Sequence, residues 1–375
     1  MNRVILLGNG FDLAHGRKTS YADFIKWYIG QCAKTAVKRD YVDTLIKVSP
    51  TPYYRGDRLN NDIEDWVNEC YNEGLDLKKF GRPVLDLGGL NYRYPFIFQP
   101  QSRILENMLK QCSVGRWVDI EAIFYSTLIE ILDANGRTNK EESLTLLNRS
   151  MHELKMQLQT YLLSLPKPTH NQDYVNILDE YILDDDIESA RKGEKQRNYL
   201  YEKPKNTLIL NFNYTDTIEL YFDKTYKTAR NININYIHGK LNDEQNPIVF
   251  GFGDELDKRY SQIENETAKG YFDYIKSFWY LRTSNYRDLV RFVDGEEYQV
   301  FILGHSCGLS DRTMLHMILQ NDNCRSIKIF YHGTEMDNNY TQTTYEIARH
   351  FNDKELMRKR IVSLNKSKNM PQAKK

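Results

Sequence analysis

Residues 1–16 read MNRVILLGNGFDLAHG. Val4-Ile5-Leu6-Leu7 is an unbroken apolar run closed by glycine. A run without polar alternation is covered on both faces, as a strand is in the middle of a parallel sheet. Gly8-Asn9-Gly10 follows at once. A strand that ends in a glycine pair can turn sharply and aim backbone N–H groups at an anion as the next helix begins. The dinucleotide pattern G-x-G-x-x-G is met only in part: Gly8 and Gly10 fit, Leu13 stands at the third glycine, and the next glycine is Gly16. The stretch therefore predicts a nucleotide-type ligand at the end of a buried first strand, with an ordinary tight turn as the rival reading.

The same texture returns from Asn206 onward. Thr207–Leu210, Ile232–Ile237, Ile248–Phe250, Val300–Leu303 and Ile327–Tyr331 read as further strands, separated by helix-like stretches at 257–293, 311–320 and 340–358. Alternating strands and helices imply an α/β fold with a parallel sheet. Between them the apolar spacing is helical. Leu105, Met108 and Leu109 share one face, as do Ile120, Ile123, Phe124 and Leu128, and the period continues from Leu144 to Leu163. Ser20 is placed to cap a helix that follows it. Residues 50–60 and 74–100, with their prolines, glycines and tyrosines, read as loops. The organisation expected is a discontinuous α/β domain from 1–30 and 200–365, a mainly helical insertion over 31–199, and a frayed basic tail at 366–375.

Composition narrows the function classes. The 375 residues hold 51 Lys+Arg against 51 Asp+Glu, so no global field favours nucleic acid or an acidic membrane. No run approaches the roughly 18–20 apolar residues of a membrane span, and the first strand starts where a signal peptide would stand. The five cysteines are scattered, with no C-x-x-C pair, so neither a zinc ribbon nor a disulfide framework is expected. A reducing cytoplasm is the natural location, and no membrane is expected as a partner.

In open parallel sheets, ligands bind beyond the carboxyl ends of the strands. The strands deliver Gly8-Asn9-Gly10-Phe11-Asp12, then Asn211-Phe212-Asn213-Tyr214-Thr215-Asp216, His238-Gly239-Lys240, Gly251-Phe252-Gly253-Asp254-Glu255, and Gly304-His305-Ser306-Cys307-Gly308 followed by Ser310-Asp311. Small and polar residues at every end favour a shared crevice. Each also has a plainer reading. Asn213 and Asp216 suit the N-cap of a helix over 214–222, Ser306 and Asp311 that of the 311–320 helix, and His238 a hydrogen-bonded structural group. Cys307 has no identifiable basic partner, so a catalytic thiol is not expected.

Taken together, GNGFDLAHGRKTSYADF, WVDIE, NFNYTDTIE, YIHGKLN, FGFGDELD and GHSCGLSDRTML resemble the AbiH-type bacteriophage abortive-infection family, in family order from residue 4 to about 350. That family is in turn similar to the wider sirtuin-like group, which binds NAD on a Rossmann-like sheet. The resemblance implies that Gly8, Gly10 and Gly16, with Asn9 and Phe11, hold phosphates. It implies that Asn213 orients the nicotinamide ribose or a water, that His238 is a base, and that Gly304 and Ser306 hold the other ribose or phosphates. Thr215 and Asp216 follow the Asn-Tyr pair, with Thr215 where an aspartate is usual. Asp12 stands where a serine is common, and there it turns toward a ribose hydroxyl or a developing cation rather than the pyrophosphate. The four-cysteine zinc module of sirtuin deacylases is missing, so no zinc and no acyl-lysine chemistry are expected.

The chemistry implied is hydrolysis of NAD at the nicotinamide–ribose bond, with Asn213, His238 and Asp12 as catalytic residues and cellular NAD loss as the antiphage effect. Two alternatives stand beside it. One is a non-catalytic nucleotide-binding sensor whose helical part engages a phage or host protein. The other is a metal-dependent nuclease using Asp12, Asp216, Asp254 and Asp311. The helical insertion is expected to regulate or to build a homo-oligomer under a phage-derived trigger, with Trp117, Asp119 and Glu121 as possible links to the crevice.

Overall fold

Asn2–Leu7 forms strand β1, and every one of its residues is buried. The computed structural model describes residues 1–37, 39–51, 84–86, 89–91, 96–114, 119–134, 139–187, 202–222 and 230–373. The remaining strands are Tyr41–Val42 (β2), Ile46–Pro50 (β3), Val84–Asp86 (β4), Gly89–Asn91 (β5), Phe96–Pro100 (β6), Thr207–Asn211 (β7), Ile232–Tyr236 (β8), Tyr298–Leu303 (β9), Cys324–Tyr331 (β10) and Lys368–Asn369 (β11). The helices are Asn9–Ala14 (α1), Tyr21–Ala36 (α2), Arg103–Val114 (α3), Ile120–Asp133 (α4), Lys140–Ser164 (α5), Gln172–Leu178 (α6), Tyr260–Glu264 (α7), Lys276–Tyr280 (α8), Asn285–Gly295 (α9), Arg312–Gln320 (α10), Tyr340–Ala348 (α11) and Lys354–Arg360 (α12).

The main sheet has six strands in the order β11-β10-β9-β1-β7-β8, and every adjacent pair is parallel. β1 is central: Val4 lies opposite Leu208 of β7 on one side and Val300 of β9 on the other. Successive side chains of a strand point to opposite faces. Val4, Leu6, Leu208, Val300 and Ile302 thus pack with Leu289 and Val293 of α9, Leu315 and Ile318 of α10, and Ile347 of α11. Ile5, Leu7, Ile209, Phe301 and Leu303 pack on the other face with Phe11 and Ala14 of α1 and Tyr174 and Ile177 of α6. Helices cover both faces, as the unbroken apolar runs require.

The chain divides into two compact units. The first is Met1–Lys18, Pro166–Tyr260 and Ile275–Lys375; the second is Thr19–Leu165 and Ser261–Tyr274. The first holds the parallel sheet. The second holds helices α2 to α5, and it also contains a small antiparallel sheet, β2-β3-β6. Ser20 does cap α2, accepting the Asp23 N–H at 3.1 Å, a contact worth about 1 kcal/mol.

Some expectations need correction. Ile248–Phe250 is buried but forms no strand; its Val249 N–H is bonded to the His238 carbonyl at 2.8 Å. The stretch 257–293 splits into α7, α8 and α9. In place of a helix over 214–222 there is one short 3₁₀ segment, Thr217–Tyr221. The tail is not frayed over its described part: β11 pairs with β10, Met370 joins the core, and the Ala373 N–H donates to the Ala14 carbonyl at 2.7 Å. Of the stretches read as loops, Phe96–Pro100 is strand β6, while most of 50–60 and 74–95 lies outside the described residues, as does Trp117.

The turn after β1 meets the turn after β9 at backbone contact. The Gly10 N–H donates to the Gly304 carbonyl at 2.9 Å. A Cβ on Gly8 would sit 2.5 Å from His305 Cα, and one on Gly304, whose φ is +69°, would sit 2.4 Å from the Phe11 nitrogen. These positions accept glycine alone, for want of space and, at Gly304, for backbone conformation as well. Gly8→Ala is expected to destabilise the fold by about 2–3 kcal/mol. Gly30→Ala, inside α2 with nothing within 4 Å of the new Cβ, is expected to stabilise by about 0.5–1 kcal/mol. Urea unfolding followed by circular dichroism reads both, and a Gly8→Ala protein as stable as the parent contradicts the close packing.

Candidate functional site

Three strand ends and one short helix converge on a buried group of ionisable side chains. His238 follows β8, where Gly239 (φ +83°) turns the chain tightly against the Pro247 carbonyl. Phe212, just past β7, meets the His238 ring edge-on at 5.0 Å and the His305 ring at 4.1 Å. His238 Nε2 lies 3.0 Å from Asp311 Oδ1 and 3.1 Å from the Tyr280 hydroxyl. Lys276 Nζ donates to the same Asp311 oxygen at 2.9 Å and has no exposed surface. Lys276 is held there because α8 begins with its N–H bonded to the Phe252 carbonyl at 2.9 Å and its stem packs beside Gly253, where a Cβ would come within 3.4 Å of it.

Asp311 reaches the cluster from the loop after β9. The cap reading of this residue fails: its side chain makes no bond to the N–H groups that open α10 and turns instead to Lys276 and His238. The loop is shaped by two histidines. Cys307, at a left-handed φ of +55°, donates its N–H to His305 Nδ1 at 3.0 Å. His305 is therefore protonated at Nε2, which faces Asp311 Oδ2 at 3.9 Å. His350 Nε2 donates to the Cys307 carbonyl at 2.7 Å.

The charges settle as follows. Burial alone would raise the Asp311 carboxyl, but Lys276 and then His238 outweigh it and hold Asp311 well below the usual carboxylate range. Burial pushes the His238 imidazole down from its ordinary value, Lys276 adds to this, and Asp311 opposes it. Burial also takes His305 down to about 4 against the pull of Asp311, with His238, His350 and Lys276 reinforcing the fall. At neutral pH the site is a carboxylate covered by an ammonium, with two neutral imidazoles against it. It borders a cavity of about 280 Å³ lined in part by Asp311, Tyr280, Tyr286 and Glu255.

The other expected site residues take other partners. Asn213 receives no cap role: its Nδ2 donates to the Gly8 carbonyl at 3.0 Å and its N–H to Asn211 Oδ1 at 3.0 Å, tying the end of β7 to that of β1. Asp12 is buried, and burial raises its pKa against the opposing effects of Thr215, Thr217 and Arg17; Thr215 Oγ1 donates to it. Asp216 lies 3.9 Å from Arg17, and Asp254 lies 3.4 Å from Arg312. The four aspartates of the metal reading thus answer to different partners, and among the described residues no group of three or more ligand side chains could hold a metal ion. Gly8, Gly10 and Phe11 all donate their N–H groups to backbone carbonyls, of Leu303, Gly304 and Gly8 respectively. Asn9 sits in the first turn of α1 and Gly16 follows that helix at φ +78°. Ser306 is exposed. Asp119 caps α4 through the Ala122 N–H at 3.0 Å, and Glu121 is buried in that helix's first turn. Lys276 and Tyr280 were not anticipated from sequence, since a lysine and a tyrosine in a charged helical stretch carry no local mark.

Such a site defines an α/β protein with a buried His–Asp–Lys cluster at the carboxyl edge of a parallel sheet. The family model for bacteriophage abortive infection AbiH matches residues 4–332, and the chain belongs to that family. Membership suggests a role in phage abortive infection. A search of curated proteins returns no match, and neither does a search of solved structures. Among the described residues no helix is long and apolar enough to cross a membrane.

The depressed His305 pKa has a consequence for stability. Between about 4 and the ordinary 6.5 the unfolded chain binds a proton that the folded one does not, so stability falls as pH is lowered through this window. Chemical unfolding at a series of pH values is expected to show this slope, reduced in His305→Asn. A slope of the opposite sign contradicts the assignment.

Proposed function

We propose that the chain acts in abortive infection as a hydrolase of the nicotinamide–ribose bond of NAD or a related nucleotide, on a Rossmann-like sheet of sirtuin type, when a phage-derived trigger is present. The observation that carries this reading is His238 held neutral 3.0 Å from an ionised, lysine-covered Asp311, beside a cavity. A buried neutral imidazole is in its base form at neutral pH.

The reaction breaks the C–N bond, whose electron pair leaves with nicotinamide, and an oxocarbenium-like centre is then attacked by water. His238 has its own hydrogen bond to the Phe212 backbone, so the neutral ring, with a single proton, stands between that carbonyl and Asp311. The proton taken from the attacking water makes both ring nitrogens donors, one to Phe212 and one to Asp311, so the imidazolium is stabilised as it forms. Lys276 keeps Asp311 ionised throughout, and Tyr280 orients the ring through its hydroxyl.

The first glycine loop offers a pyrophosphate none of the Gly8, Gly10 or Phe11 N–H groups in this arrangement, because all are bonded within the fold. Asn213 and Asp12 are placed as supports, fixing the β1 and β7 ends that carry the loop. The proposal therefore rests on the His238 end of the crevice.

Purified protein supplied with NAD and a lysate of phage-infected cells is expected to release nicotinamide. His238→Ala is expected to lower the rate by about 10²–10⁴-fold. Lys276→Met removes a cation that lowers the His238 pKa, so the acid limb of the pH–rate profile is expected to move to higher pH. Absence of nicotinamide release from the wild-type protein under these conditions overturns the reading.

A further inference from the structure

The cavity beside Asp311 has a chemical character of its own. The Tyr280 and Tyr286 rings stack at 5.7 Å and an interplanar angle of 15°, and both line it. Phe278 and Leu281 line it as well, yet are 49% and 79% exposed, so apolar surface at the site stands in water. Glu255 and Asp311 are its acidic members, and among the described residues none of those lining it is a lysine or arginine. Asp311 is only 7% exposed. Its Oδ1 takes both Lys276 and His238, whereas Oδ2 accepts no hydrogen bond among the described residues, His305 being 3.9 Å away. A carboxylate oxygen so placed can accept a donor. The volume of about 280 Å³ falls below the roughly 300–1,000 Å³ of pockets that hold drug-sized ligands, so it suits one ring rather than a whole dinucleotide.

We propose that this cavity binds a planar heteroaromatic cation that carries an N–H donor, a pyridinium carboxamide being the simplest example. The ring lies against the aromatic faces, whose quadrupoles attract positive charge. Glu255 adds an anion at the exposed side, and the carboxamide N–H donates to Asp311 Oδ2. An anionic phosphate meets no lysine or arginine among the lining residues and faces Glu255. As the seat of a leaving group the assignment rests on the glycosidic reading above; as a binding site it rests on the cavity alone.

Isothermal titration calorimetry on the full chain at pH 7.5 tests it with three probes: 1-methylnicotinamide, the neutral nicotinamide, and AMP. Saturable binding of 1-methylnicotinamide is expected, about 5–20-fold tighter than that of nicotinamide, with AMP the weakest. Glu255→Gln is expected to narrow the gap between the cation and its neutral counterpart. Phe278→Ala is expected to weaken both ring compounds, and at these surface positions both variants should keep the parent circular dichroism. Equal affinity for the cation and the neutral ring, or cation binding unchanged in both variants, overturns the proposal. NAD hydrolysis without cation binding would sink the cavity assignment and leave the hydrolase standing. Cation binding without hydrolysis would do the reverse.

Discussion

The contact between two turns, Gly8–Gly10 after β1 and Gly304 after β9, is the constraint on which the site depends. With a Cβ at Gly8 or Gly304 the backbones would overlap, and without the Gly10 N–H to Gly304 carbonyl bond the loop from Gly304 to Asp311 would have no fixed start. That loop carries His305, the left-handed Cys307 and Asp311. Its position is completed by His350, which holds the Cys307 carbonyl from outside the loop. Central strands thus define the position of a carboxylate several residues beyond their ends. This is the use an open parallel sheet makes of its carboxyl edge.

A buried lysine and aspartate are costly to desolvate, and their mutual attraction alone seldom offsets that cost. Two such groups stand among the described residues. On β10, Lys328 is buried with Glu180 at 2.7 Å and Asp186 at 2.8 Å, and Lys368 of β11 reaches the same glutamate at 2.9 Å. That cluster docks the edge strand and the segment after α6 to the sheet, and its charges are matched by one another. The Lys276–Asp311 pair differs. It faces two imidazoles and a cavity, and one carboxylate oxygen is left for a donor that the described residues do not supply. The first arrangement has the character of a structural fastening, the second that of a site.

The sheet was legible in the sequence wherever burial on both faces produced an unbroken apolar run: Val4–Leu7, Thr207–Leu210, Val300–Leu303 and Ile327–Tyr331 all lie in strands. Ile248–Phe250 has the same texture but no ladder, because an apolar run reports burial and not pairing. β11 was invisible for the opposite reason. Its two polar residues carry no periodicity, and its place is set by Met370 and by tertiary bonds. Of the site, His238 could be singled out because it directly follows a strand. Asp311 was visible only as a cap or ligand candidate, and Lys276 not at all. Their meeting depends on the path of the chain between 253 and 280, on which local pattern is silent.

The role proposed for the His238–Asp311–Lys276 cluster is that of working centre in an abortive-infection protein. It is tested most directly by following NAD in infected cells that carry either the wild-type chain or His238→Gln. NAD is expected to fall in wild-type cells before lysis, and the variant is expected to lose both this fall and protection of the culture. Protection retained by His238→Gln, or wild-type protection with NAD unchanged, would contradict it.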